Sequence, residues 1–182
     1  YAKVSSTGRF STAVGVIANA SGYASNAFGG NAWALGSRST ALGGGAYAYG
    51  AGSLAVGIDS EAIGDKSIAF GVYAGSLALG SSALGSYSRA VGDYSNATGW
   101  LSFAGGDYST AIGTVAYSQG FASNAIGTYS HAIGDFSTAM GAYAQSTGNH
   151  SQSLGAYSVA MGAMASANGA FSEALGNYSV AN

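Results

Sequence analysis

Residues 106–127 read GDYSTAIGTVAYSQGFASNAIG, and this stretch decides the fold. Glycine returns every seventh residue, at Gly106, Gly113, Gly120 and Gly127. The third and fifth positions after each glycine are held by Ser or Ala alone, as in Ser109 and Ala111, then Ala116 and Ser118. Followed outward, the period runs from Gly8 to Gly176 through 25 slots, of which glycine fills 24; Ala78 is the exception. The fifth position is Ala in 21 slots and Ser in the other four, Ser76, Ser118, Ser146 and Ser153. The unit is therefore G-x-x-[S/A]-x-[A/S]-z, with z usually Val, Ile, Leu, Met or Phe. A fixed short period sets architecture before local propensity does.

A seven-residue period suits a coiled coil only if large apolar residues recur at two positions and helix formers fill the rest. A glycine every second helical turn, each costing about 1 kcal/mol against Ala, rules that out. Collagen needs glycine every third residue and is excluded too. The β reading accounts for every position. Two small side chains point to one face and their neighbours to the other, which is strand alternation. Glycine and the residue after it form the corner, where a positive φ or a close backbone approach leaves no room for a Cβ. Two units make a coil of fourteen residues, and stacked coils pair each strand with its equivalent. The expected fold is all-β, a parallel β-roll or solenoid with two seven-residue strand units per coil.

Glycine accounts for 31 residues, Cys and Pro for none, and charged residues for 7%, well under the usual quarter of a soluble domain. Five basic residues against a net charge of −2 offer no cluster able to neutralise several phosphates, so nucleic acid is not an expected partner. No run of about 18 apolar residues is present, so direct membrane insertion by a helix is not expected either. Without Cys there is neither a disulfide framework nor a thiolate metal site.

An Ala/Ser interior buries little apolar area, too little at about 25 cal/mol per Å² to offset the ordering of the chain. A second buried surface is required. The z residues of alternate units supply it: Val14, Phe28, Leu42, Val56, Phe70, Leu84, Ile112, Ile126, Met140 and Leu154. The fourth position in this set (Thr12, Asn26, Thr40, Leu54, Ile68, Ser82) carries no charge, whereas the alternate set carries Glu61, Arg89, His131 and Glu173. Unpaired charge is costly to bury. The uncharged strand is expected to meet other subunits and the charged strand water.

Segments such as Ser109-Thr110-Ala111-Ile112-Gly113, Ser123-Asn124-Ala125-Ile126-Gly127 and Ser158-Val159-Ala160-Met161-Gly162 resemble the S-V-A-I-G core of the YadA-like head repeat of trimeric autotransporter adhesins. The resemblance runs through nearly the whole chain from about Phe10. It implies a homotrimer with two identical chains, built of left-handed rolls, at the cell surface on the outer membrane of a Gram-negative bacterium. It also implies binding to host extracellular-matrix proteins or the host cell surface, and self-association. The chain is expected to be a single repeat domain over residues 1–182, an adhesin head fragment without the family's neck, stalk or membrane anchor. The longer N-S-V-A-I-G-x-x-S form, linked with collagen binding in the family, occurs nowhere intact.

No cofactor, metal or catalytic group is expected, since a convex roll with a filled interior offers no pocket of converging acid, base and nucleophile. Asp65, Asp93, Asp107 and Asp135 each follow a repeat glycine in the same set of units. They are expected to be solvated corner residues, because their spacing skips coils and calcium wants six to eight oxygens. His131 and His150 are expected to be surface residues. Tyr or Phe stands second after glycine in eleven slots, among them Tyr73, Tyr87, Tyr129, Tyr143, Tyr157 and Phe171, expected to cover the corner of the next coil. Trp33, Tyr47, Phe103 and Tyr117 fall on the strand expected to face water, where aromatics are candidate ligand anchors. The competing readings are an inert spacer and an ice-binding or glycan-degrading β-solenoid; the mixture of Thr12, Thr40, Asn26, Leu54 and Ile68 at one strand position disfavours ice binding.

Overall fold

The structure, a computed structural model, describes Ser5–Ser6 and residues 8–182. All its regular elements are short parallel strands; there is no helix among the described residues. The chain divides into two compact units, Tyr1–Ala90 and Val91–Asn182. Each unit is a stack of fourteen-residue coils with one strand on either side.

One series of strands, here sheet I, runs from Thr12–Val14 to Ser82–Leu84 in the first unit and from Asn96–Thr98 to Val180–Ala181 in the second. The other, sheet II, runs from Ser5–Ser6 to Arg89–Ala90 and from Phe103–Ala104 to Glu173–Ala174. Register is fourteen residues throughout: Thr12 pairs with Asn26, Ala13 with Ala27 and Val14 with Phe28. On sheet II, Trp33 pairs with Tyr47 and Ala34 with Ala48. A parallel ladder in this register puts like residue on like residue, so every outward position becomes a column along the stack.

The third and fifth positions line the interior, and Ala27, Ala41, Ala55, Ser39 and Ser53 are fully buried. The four serines at the fifth position have a common explanation. Ser76 faces Ser81 at 2.7 Å, and Ser118 faces Ser123, Ser146 faces Ser151 and Ser153 faces Ser158, each at 2.6 Å. A buried hydroxyl needs a partner, and each of these finds one across the corner, on the third residue of the next unit. Elsewhere the fifth position is Ala, and Ser39, Ser53, Ser67, Ser95, Ser109 and Ser137 keep hydroxyls with no hydrogen-bond partner among the described residues. Ala48→Ser is therefore expected to be neutral within about 0.5 kcal/mol, because it faces Ser53, whereas Ala48→Val overfills the interior and costs about 1–3 kcal/mol. Denaturant midpoints of the two variants check this.

The corners depart from expectation in one respect. Glycine does provide close approach: a Cβ at Gly113 would stand 2.5 Å from the Gly127 carbonyl oxygen. The left-handed conformation, however, belongs to the second residue after glycine. Twenty-two non-glycine residues, including Ile17, Val115, Tyr73 and Tyr143, sit there at φ 49–61°. Such a φ costs roughly 1–2 kcal/mol for an L-residue. It is enforced by bonds between coils: Asn31 N–H donates to Val16 C=O at 2.7 Å and Tyr73 N–H to Ile58 C=O at 2.9 Å.

The two corners of a coil also differ. Before sheet II strands (corner 2), the repeat glycines from Gly15 to Gly141 have φ 128–142°; before sheet I strands (corner 1), the repeat glycines have no positive φ. Ala78, the single exception to the glycine repeat, occupies a corner 1 slot, where no positive φ is required.

Candidate functional site

With the interior filled by Ala and Ser, function falls to the columns outside. The z column of sheet I lies at its corner 2 end. Val14, Phe28, Leu42, Phe70, Leu84, Ile112, Met140 and Leu154 are each 37–55% exposed, and Val56 and Ile126 are half-buried. Within each unit these side chains follow one another coil by coil, as in Phe28 on Leu42 on Val56 and Ile112 on Ile126 on Met140. The sheet II z column also exposes apolar residues, Ile63, Ile133 and Leu175 among them. It is interrupted by Ser21, Gln119 and Thr147, and the neighbouring fourth-position column carries Glu61, Arg89, His131 and Glu173.

The four candidate anchors of sheet II form two pairs, one in each unit. Trp33 and Tyr47 are half-buried with ring centroids 5.9 Å apart, and Tyr47 stacks on Tyr49 at 5.9 Å and 5°. Asn31 ties the first pair together, accepting from Trp33 Nε1 at 3.0 Å and donating through Nδ2 to the Tyr47 hydroxyl at 3.3 Å. Phe103 stacks on Tyr117 at 4.9 Å, and the Tyr117 ring meets His131 edge-on at 5.8 Å. The Tyr117 hydroxyl donates to Gln119 Oε1 at 3.1 Å. Rings held in this way lose little further freedom when a partner packs on them.

Beside the first pair lies an open concavity of about 540 Å³ lined by Tyr47, Tyr49, Glu61 and Ile63. One coil further the fourth-position column is occupied by Gly75, which leaves a second hollow of about 200 Å³ lined by Asp59, Glu61, Tyr73, Ala74, Gly75, Leu77 and Arg89. Sequence reasoning named Trp33 and Tyr47 here but missed the gap at Gly75. Its signal was a residue without a side chain inside a column of large ones.

The acidic column of corner 1 has a structural task. Asp65 Oδ1 accepts from Ala51 N–H at 2.8 Å, Asp107 Oδ1 from Asp93 N–H at 2.9 Å and Asp135 Oδ1 from Phe121 N–H at 2.9 Å. Asn149 and Asn177 do the same for Asp135 and Ala163. Each side chain caps a backbone donor one coil back and so staples neighbouring coils. Among the described residues, no group of three or more His, Asp or Glu converges as metal ligands, and no helix is long and apolar enough to cross a membrane.

Aromatics at the second corner position lie against the corner of the next coil by stacking on the ring it carries. Tyr129, Tyr143, Tyr157 and Phe171 form a ladder with centroids 4.9–5.1 Å apart and planes within 8°. Tyr73 stacks on Tyr87 at 5.1 Å. The register of the ladder brings equal residues to the same height, so ring meets ring.

Repeated β-coils with a filled interior and exposed outer columns define a surface-presenting β-solenoid. The family model of the YadA head domain repeat matches residues 6–25, 20–46, 48–74, 90–116, 118–144, 132–152 and 153–179, and the chain belongs to that family. Among solved structures it is similar to the collagen-binding domain of the Yersinia adhesin YadA, with 28% identity and a TM-score of 0.57 over 76% of this chain and 70% of that one. No curated protein sequence matches. The family and the fold are those of an adhesin, not of an enzyme.

Proposed function

We propose that the chain is the head of a trimeric surface adhesin that binds host extracellular-matrix protein or the host cell surface. The observation that carries this reading is the exposed apolar z column of sheet I. Left in water, ten half-exposed side chains forgo about 1 kcal/mol each, on the order of 10 kcal/mol per chain. Two further copies of the same roll supply the missing partner, each presenting the same column. A closed cyclic assembly satisfies all three at once. The interface comprises Val14, Phe28, Leu42, Val56, Phe70, Leu84, Ile112, Ile126, Met140 and Leu154. Residues 1–182 act as one repeat domain, held outside a Gram-negative outer membrane.

Sheet II then faces outward with Trp33, Tyr47, Phe103 and Tyr117 as ligand anchors. The concavity beside Tyr47 and Glu61 suits an extended matrix-protein segment, aromatic contacts supplying area and Glu61 taking a basic side chain. The match to a collagen-binding domain supports a matrix protein as ligand. Three copies of a weak site gain affinity through effective concentration.

Binding of the 182-residue chain to a panel of immobilised matrix proteins tests this. Replacing Trp33, Tyr47, Phe103 and Tyr117 together with Ser is expected to lower affinity at least tenfold while leaving the solution mass unchanged. Undiminished binding by that variant removes the anchors. A parent chain that binds no matrix protein and no cell surface removes the adhesive reading in favour of an inert spacer.

A further inference from the structure

Corner 1 of the first unit collects basic residues. Arg9, Arg38 and Lys66 are three of only five in a chain of net charge −2. At the second corner position the column reads Arg38, Gly52 and Lys66 in three successive coils. Gly52 has φ +68°, and a Cβ there would meet nothing within 4 Å. The missing side chain opens a notch of about 390 Å³, lined by Tyr23, Ser37, Arg38, Ala51, Gly52 and Lys66.

Both cations flank this notch and are exposed, and neither cationic head has an ion-pair or hydrogen-bond partner among the described residues. The acid at corner 1 of these coils, Asp65, has its Oδ1 engaged by the Ala51 N–H at 2.8 Å. Arg9, by contrast, lies over the Phe10 ring at 5.7 Å, and Phe10 meets the Tyr23 ring edge-on at 5.7 Å. Two free cations about 10 Å apart along the stack, two rungs of about 4.8 Å, thus bracket an open floor with an aromatic ring nearby.

We propose that this notch binds an anionic saccharide, a linear glycan bearing sulfate or carboxylate groups on its sugars. Charges spaced along the stack suit a chain of charges. Arg38 supplies a fork for a sulfate or carboxylate and Lys66 a second point charge. The Tyr23 ring offers a surface to the apolar side of a sugar, and the Ser37 hydroxyl pairs with a sugar hydroxyl. Two cations neutralise about two phosphates, too few to hold nucleic acid at physiological salt. An acidic peptide would have to order its flexible carboxylate side chains to reach both cations, at a cost in entropy. The notch is on corner 1 and shares no residue with the sheet II anchors, so it stands or falls separately from the matrix-protein reading.

The test is calorimetric titration of the 182-residue chain with a heparin-derived sulfated oligosaccharide, its desulfated counterpart and a polyglutamate peptide. The sulfated sugar is expected to bind, with a log affinity that falls against log salt by no more than about 2 for two contacts. The desulfated sugar and the peptide are expected to bind at least tenfold more weakly. Arg38→Gln and Lys66→Gln are each expected to lower affinity about tenfold or more, Lys66→Arg to retain it, and Arg89→Gln on sheet II to leave it unchanged. Gly52→Tyr keeps both charges but fills the notch, and it is expected to abolish binding. Tyr73 and Tyr87 show that Tyr fits this conformation at φ 56° and 59°, and an unchanged melting temperature confirms that the variant folds. Should it unfold, the Arg38→Gln/Lys66→Gln double variant decides alone. The proposal is overturned if the sulfated sugar does not bind, if the desulfated sugar or the peptide binds as tightly, or if the notch variants bind like the parent.

Discussion

Ile112→Asp combined with Ile126→Asp is expected to disperse the proposed trimer into single chains of 17.7 kDa or to unfold it. The two isoleucines pair in register on sheet I, and Ile112 is 39% exposed in the single chain. In a threefold assembly each substitution brings three carboxylates toward one axis. An uncompensated buried charge costs several kcal/mol per ion, and like charges repel in addition, so the pair outweighs the roughly 10 kcal/mol estimated for the whole column. Sedimentation or light-scattering mass, taken with circular dichroism, reads the result. Ile133→Asp is the control: Ile133 is 44% exposed on sheet II and is expected to leave the mass unaltered. A trimer that tolerates the double variant, or one dispersed by Ile133→Asp, assigns the interface to the wrong sheet.

The second large effect is expected at the corner glycines. At Gly113 the φ is 134°, a region open in practice to glycine alone, and an added Cβ would press on the Gly127 carbonyl. Both neighbours are backbone, so no side chain can swing aside. Gly113→Ala is expected to cost more than about 3 kcal/mol, strain and steric displacement together. Gly52→Ala, at φ +68° with open space around it, is expected to cost about 1 kcal/mol. Denaturant midpoints separate the two; equal losses would mean that the stack relaxes around a Cβ.

These contrasts show where the sequence was transparent. Small residues at the third and fifth positions and glycine at the first report contacts made inside the coil, so strand direction, period and pairing were readable from Ser109, Ala111 and Gly113. The left-handed second position was not. Val115 and Tyr143 are residues that avoid positive φ in isolation, and bonds from the preceding coil override that preference. The stapling carboxylates were equally hidden, since Asp65 and Asp107 act on a backbone N–H fourteen residues back. On the outer surface, Trp33, Tyr47, Phe103 and Tyr117 could be picked out as large residues in an outward column. The hollows at Gly52 and Gly75 are made by side chains that are missing, and they become visible only when neighbouring coils are superposed.

Because each rung sits on a chemically similar rung fourteen residues away, the stack has almost nothing to distinguish one level from the next. A slip of one whole coil during folding preserves nearly every contact. The marks that oppose it are the irregularities: the serine pairs at Ser76 and Ser81 and at Ser118 and Ser123, and the misfit residues Gly75 and Ala78. The same near-degeneracy means that adding or removing one coil's worth of coding sequence leaves a foldable product. Height is thus the property this architecture varies most cheaply across generations, and departures from regularity are what keep any one height well defined.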